Sequence, residues 1–320
     1  MTLRPMRDPR LDTELADALD RLAADGWLPI VTGDVDADRS RYHELALLRR
    51  GAGVQEVGEV HDDLVPAGAD GADVDVPVRV YRPSGALAGV TVVWLHGGGW
   101  VLGDLDTADA SARRVCEHLR ATVVSVDYRL APEHPHPAPL SDCLAALRWA
   151  AARAGDDRVV VGGDSAGGGL AAGCALLARD WGPRLDAQLL LYPGLDPAMG
   201  RPSVTENAEG PFLTRGDMQW FYGHYLPEPG LRADPSVALA AADELDDLAP
   251  AVVAVAELDP LRDEGLAHAA ALTAAGVDVR LLHGQGLVHG WFGLAAASTA
   301  ARREGDRALD AVAELLVRTR

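Results

Sequence analysis

A chain of 320 residues with 48% hydrophobic content is long enough for one large α/β domain or two smaller ones. Its net charge is −19 and all 29 basic residues are arginine, a balance that repels phosphate backbones and makes nucleic acid an unexpected partner. No segment reads as a membrane span or an apolar leader, and Cys116, Cys143 and Cys174 form no metal-binding spacing; together these predict a protein of a reducing cytoplasm, with no membrane partner and no metal.

Leu11, Leu15, Leu19 and Leu22 put one apolar stripe on a first helix, and a second helical stretch near residues 41–50 ends at the breaker Gly51-Ala52-Gly53. Residues 1–53 therefore precede the core. They are either two surface helices or part of a cap over a site, and the cap is preferred because little else in the chain would cover one. From residue 54, strand and helix signals alternate. Residues 54–60 and 74–81 read as a leading antiparallel pair, followed by apolar runs at 90–95, 122–126, 159–161, 189–192, 252–255 and 279–282. Helical patterns such as 140–154 and 170–179 separate them. This rhythm predicts one α/β core over 54–320, an eight-stranded, mostly parallel sheet flanked by helices. Residues 194–249 interrupt it with Phe212, Met218, Trp220, Phe221, Tyr222 and Tyr225. They are expected above the C-terminal edge of the sheet, contributing to the cap and the pocket walls; the alternative is a cluster that only holds the insertion together.

Two glycine-rich segments follow strand signals. Gly163-Asp164-Ser165-Ala166-Gly167-Gly168 turns so sharply that Ser165 is expected on a strained backbone with its Oγ exposed. His96-Gly97-Gly98-Gly99-Trp100 offers N–H groups uncrowded by Cβ atoms, suited to an oxyanion. Gly97, Gly98 and Ala166 are the expected donors, with His96 anchoring the loop. A serine hydroxyl needs a base, usually a histidine oriented by a carboxylate. In chains with such an elbow, acid and then histidine follow the serine. After the run 251–256 the acids are Glu257, Asp259, Asp263 and Glu264. Glu257 falls on the strand end, Asp263 and Glu264 suit the first turn of a helix opened by Pro260, and Asp259 in the turn is preferred. His268 lies in a helical stretch, His283 at the end of the last strand and His289 in the loop beyond. A loop swings an imidazole back more readily than a strand end, which favours His289 and leaves His283 open.

With these motifs the chain resembles the hormone-sensitive-lipase family of α/β-hydrolases, in particular its bacterial family IV carboxylesterases. The resemblance is carried by His96 to Trp100, Asp127-Tyr128-Arg129-Leu130-Ala131-Pro132-Glu133, Gly163 to Gly168, Tyr192-Pro193, Asp259-Pro260-Leu261-Arg262-Asp263-Glu264-Gly265 and His289-Gly290-Trp291. It covers residues from about 55 to the end, with residues 1–53 fitting the family's helical cap. It implies Ser165, Asp259 and His289 as the triad and Gly97, Gly98 and Ala166 as oxyanion donors. It also implies hydrolysis of short- to medium-chain esters through an acyl-enzyme, no cofactor, and a homodimer through the last strand and helix. Trp100, Tyr192, Phe212 and Trp291 are expected to line the substrate pocket; Trp291 stands where the family usually has Phe and should narrow it. The charges of the Asp127–Glu133 segment are expected to brace the loop beneath the site. An amidase, lactonase or deacetylase would use the same triad. A non-catalytic receptor is disfavoured by the complete Ser165, Asp259 and His289 set, and an interfacial lipase by the lack of a strongly apolar surface helix.

Overall fold

Apolar runs bounded by turn residues become the central strands, and the amphipathic stretches between them cover both faces of the resulting sheet. The computed structural model describes residues 8–50, 54–68, 72–242 and 244–318. In chain order the elements are α1 (Thr13–Ala24), α2 (Val35–Arg50), β1 (Glu59–Val65), β2 (Val76–Arg82), β3 (Val90–Leu95), α3 (Leu105–Leu119), β4 (Thr122–Val126), α4 (Ala138–Ala154), β5 (Arg158–Asp164), α5 (Ala166–Trp181), β6 (Ala187–Leu191), α6 (Pro202–Glu206), α7 (Arg215–Tyr225), β7 (Ala251–Leu258), α8 (Arg262–Ala274), β8 (Val279–Val288) and α9 (Thr299–Arg318).

The eight strands form one sheet in the order β1-β2-β4-β3-β5-β6-β7-β8. The first two pairings, β1 with β2 and β2 with β4, are antiparallel, and the rest are parallel. The fold is the expected α/β-hydrolase arrangement. Side chains of α4, α5 and α8 (Leu140, Leu144, Leu170, Leu272) pack one face of the sheet, and side chains of α1, α3 and α9 (Leu15, Val115, Leu309) pack the other. Parallel strands buried on both faces read as unbroken apolar runs, which is why β3 and β4 fall on the predicted boundaries.

Two strands differ most from expectation, while β5 and β7 each run three residues past their predicted ends. β1 begins at Glu59 rather than at residue 54: it is an edge strand whose residues are mostly exposed and polar, so it carries little apolar signal. β8 continues to Val288, with a register shift opposite Ala256–Leu258. The expected breaker Gly51 to Gly53 lies outside the described residues.

The N-terminal helices divide. Asp12 caps α1 by accepting from the Leu15 N–H, and its own N–H donates to the Gly286 carbonyl at 3.0 Å. Leu15 and Leu19 are buried with Trp291 and Phe292, so α1 belongs to the wall of the core. The segment after it approaches the C-terminal edge of the parallel strands, where Arg39 of α2 donates to the carbonyls of Val101 and Ala131, both at 2.9 Å.

Candidate active site

β5 ends at Asp164 and α5 begins at Ala166, so Ser165 makes the whole turn. Its backbone is strained into φ 56°, ψ −119°, a region L-residues occupy only when their surroundings hold them there. The hold is visible: the Ser165 N–H donates to Leu191 O at 2.9 Å, and its carbonyl accepts from the N–H groups of Gly169 (3.1 Å) and Gly194 (3.0 Å). A Cβ on Gly163 or Gly167 would overlap the carbonyl oxygen of Leu95, which explains the glycine on each side of the serine.

Neighbouring strands deliver two further groups to this turn. Asp259 directly follows β7 and His289 directly follows β8. His289 Nε2 lies 2.8 Å from Ser165 Oγ, and His289 Nδ1 lies 2.9 Å from Asp259 Oδ2. Asp259 is fully buried. Its Oδ1 accepts the Leu261 N–H at 2.8 Å, and its backbone carbonyl accepts from Asn207 Nδ2 at 3.1 Å. Such a chain can draw a proton from the serine hydroxyl while the carboxylate fixes the imidazole's tautomer.

The competing residues sit elsewhere. Glu257, on β7, accepts the Gly286 N–H, and Asp263 accepts the Ser203 N–H. Glu264 is buried and accepts the Leu195 N–H at 2.6 Å; burial holds its carboxyl well above the usual range. His268 is buried beside the Leu239 carbonyl, and burial lowers it to about 4. His283 is exposed on β8, which runs on past it to Val288.

The glycine loop departs from expectation at its first member. The Gly97 N–H donates to Asp164 Oδ1 at 3.1 Å and is not free for an oxyanion. The N–H groups of Gly98 and Gly99 meet no acceptor among the described residues, both residues border the cavity with Ala166, and Ala166 opens α5, where helix N–H groups lack intrahelical partners. Sequence spacing gives no sign of this, because the acceptor comes from another strand. His96 is an anchor: buried, with Nδ1 2.8 Å from the Gly97 carbonyl, stacked on Tyr128 at 4.2 Å between centroids. The Tyr128 hydroxyl donates to the His96 carbonyl at 2.6 Å.

A cavity of about 80 Å³ opens onto Ser165 and His289. Trp100 and Phe212 line it, as expected. Trp100 is held by Tyr225, whose ring stacks on it 4.5 Å away at 4°. Tyr192 and Trp291 are not among the lining side chains. Both are fully buried below the site: Tyr192 meets His289 edge-on at 5.0 Å, and Trp291 packs beneath Tyr192 at 5.5 Å. Trp291 therefore supports the floor under His289 and does not narrow the pocket. Sequence reasoning missed Ile30, Val31, Tyr42, Leu213, Asp217 and Leu261 as lining residues. Of these, Asp217 alone carried a signal, as the end of a Thr-x-x-Asp helix start.

The charges of the Asp127–Glu133 segment tie it to α2 and α4. Glu133 pairs with Arg39 at 2.7 Å and Arg129 with the buried Asp142 at 2.7 Å. Among the described residues no group of three or more His, Cys, Asp or Glu side chains could hold a metal, and no helix is long and apolar enough to cross a membrane.

Residues 92–293 match the model of a family described as having the alpha/beta hydrolase fold. A carboxylic ester hydrolase of Mycobacterium tuberculosis, LipN, is 42% identical over 92% of this chain and 78% of its own. Carboxylesterase NlhH of the same species is 45% identical over 78% of this chain and 81% of its own. Among solved structures, an esterase of Pyrobaculum calidifontis superposes with a TM-score of 0.85 at 34% identity, covering 97% of this chain and 99% of that one.

Proposed function

The chain belongs to the alpha/beta hydrolase fold family and is a carboxylic ester hydrolase; from that premise we propose that it works by acyl transfer through Ser165 and belongs to the family's hormone-sensitive-lipase-like branch. The observation that carries this reading is the continuous chain Ser165 Oγ, His289 Nε2, His289 Nδ1, Asp259 Oδ2, with links of 2.8 and 2.9 Å. Ser165 Oγ attacks the ester carbonyl as His289 Nε2 takes its proton, and Asp259 stabilises the imidazolium. The carbonyl oxygen becomes an oxyanion held by the N–H groups of Gly98, Gly99 and Ala166, each worth about 3 kcal/mol at the transition state. His289 returns the proton to the departing alcohol. A water, activated the same way, then cleaves the acyl-enzyme.

Residues 26–50 and 194–249 act as the cap, because Ile30, Val31 and Tyr42 from the first and Phe212, Met218 and Phe221 from the second meet over one cavity. Its small volume and apolar walls suit short- to medium-chain acyl groups. The free, buried Cys116, Cys143 and Cys174 suit a reducing cytoplasm. The edge strand β8, where Leu281 is exposed, offers the pairing surface for a homodimer.

The test is Ser165→Ala assayed on p-nitrophenyl butyrate, with fluorophosphonate labelling of the wild type. Loss of hydrolysis and stoichiometric labelling at Ser165 are expected. Unchanged turnover in the variant would overturn the reading.

A further inference from the structure

The wall of the Ser165 cavity holds a carboxylate that the ester reaction does not use. Thr214 and Asp217 form the capping box of α7: Thr214 Oγ1 accepts the Asp217 N–H at 3.0 Å, and Asp217 Oδ2 accepts the Thr214 N–H at 2.9 Å. That occupies one carboxylate oxygen. Oδ1 has no hydrogen-bond partner among the described residues, although Asp217 is nine-tenths buried and lines the cavity. A capping box needs only one acceptor, and Asn or Gln supplies it as well as Asp does. The second oxygen is not needed by the helix start and is open to solvent, so it is available to a ligand in the cavity that Asp217 lines.

The surroundings say what would satisfy it. Asp164 is the other acidic lining residue, and its Oδ1 already accepts the Gly97 N–H. No arginine lines the cavity, and His289 is engaged between Ser165 and Asp259. The remaining walls near Asp217 are apolar or aromatic: Leu213, Met218 and Phe221. Asp164 Oδ2 and Asp217 Oδ1 are the two lining carboxylate oxygens without a hydrogen bond among the described residues, and a largely apolar cavity with this negative charge fits a compact cation with an N–H to donate and repels a carboxylate ligand.

We propose that Asp217 Oδ1 forms a specificity subsite that selects esters carrying a protonated amine, on either the acyl or the alcohol side, over neutral esters of the same shape and over esters bearing a free carboxylate. This rests on the reading of the cavity as the ester site. The ammonium N–H donates to Oδ1, and the apolar wall packs its alkyl substituents. Burial raises the Asp217 carboxyl above its ordinary value, so the preference for the ammonium should weaken as pH falls.

Two matched substrate pairs test it. On the alcohol side, 2-(dimethylamino)ethyl butyrate is compared with 3-methylbutyl butyrate; on the acyl side, ethyl 4-(dimethylamino)butyrate with ethyl 5-methylhexanoate. In each pair a protonated nitrogen replaces a CH of equal size. The ratio of kcat/KM, ammonium over neutral, should exceed one in at least one pair. It should fall about tenfold in Asp217→Asn, the size expected for a charge-assisted hydrogen bond. Asparagine keeps the capping acceptor, so α7 retains its start. A measurement without any variant runs alongside: in the wild type, butylammonium should inhibit neutral-ester hydrolysis more strongly than pentanoate. Ratios that stay within twofold in Asp217→Asn, or butylammonium inhibiting no better than pentanoate, overturn the subsite. Wild-type turnover of the neutral partners, lost in Ser165→Ala, tests the ester reading separately, so a flat ratio on an active enzyme counts against Asp217 alone.

Discussion

The Gly97 N–H donates to Asp164 Oδ1 at 3.1 Å, tying the first glycine of the loop after β3 to the residue that precedes Ser165. The loop after β3 and the elbow after β5 are thus fixed to each other by a side chain of the elbow itself. Gly97 acts as the anchor, and the next two glycines are left facing the cavity. Removing the acceptor should let the loop drift without removing any donor. Asp164→Ala should therefore lower kcat about tenfold with KM within twofold, less than the roughly hundredfold or greater loss typical of deleting an oxyanion donor. Asp164→Asn keeps an acceptor oxygen and should retain most activity. Steady-state kinetics on a butyrate ester decide it; equal losses in the two variants would show that the charge, not the tether, matters.

A second carboxylate beneath the site makes stability depend on pH. Burial, with repulsion from Asp104, pushes Asp127 up to about 6. In the unfolded chain an aspartate releases its proton near pH 3.9, so between about pH 4 and pH 6 the folded chain holds a proton the unfolded one has lost. Stability from this group therefore falls as pH rises through that window. Asp127→Asn removes the cost of ionisation. Its melting temperature should exceed that of the wild type at pH 7.5, and the gap should close near pH 4. A gap of the same size at both pH values, measured by circular dichroism, would refute the assignment.

The glycine loop after β3 also meets α7 directly. Gly99 has φ 61°, and a Cβ there would overlap the ring of Phe221 on α7. Gly99→Ala should cost about 1–3 kcal/mol of stability from overpacking and left-handed strain, with a fall in kcat as the loop shifts. Phe221→Ala opens the space. The double variant should regain part of the activity lost in Gly99→Ala, because only the steric half of the penalty is relieved. Denaturant unfolding and kinetics on all four proteins complete the cycle; strict additivity would mean that loop and cap do not press on each other.

What the sequence reveals here follows what is local. The bounds of β3 and β4 are legible because fully buried strands are continuous apolar runs ended by turn residues. Ser165, Asp259 and His289 are legible as a set because chain order and strand ends restrict the choice. β1 is misplaced because an edge strand with exposed polar side chains has no apolar run to find. The side-chain details depend on neighbours far along the chain. Trp291 directly follows Gly290 beyond His289, yet its ring turns away from the cavity into the layer with Leu15 and Phe292, and no spacing says which way it turns. Asp217 reads as a helix cap, and only the fold reveals the cavity beside it.

Arg39 ties α2 to the loops that follow β3 and β4. Arg39 donates to the Val101 and Ala131 carbonyls at 2.9 Å each and to both oxygens of Glu133 at 2.8 and 2.7 Å. The Glu133 carboxyl is half exposed, and the guanidinium holds it down at about 2. An exposed pair of this kind is worth at most about 1 kcal/mol. The two carbonyls carry more: with Arg39 gone each loses a charged donor, whose bonds are worth about 1.5–3 kcal/mol in favourable sites. Arg39→Ala should therefore destabilise by about 2–3 kcal/mol and Glu133→Gln by less than about 1 kcal/mol. Because α2 leads from the cavity-lining Ile30 and Val31 and carries Tyr42, Arg39→Ala should also raise KM several-fold while kcat changes little. Urea unfolding and steady-state kinetics on the two variants check this. Equal destabilisation by both would place the energy in the ion pair, and an unchanged KM in Arg39→Ala would show that the cap keeps its position without this anchor.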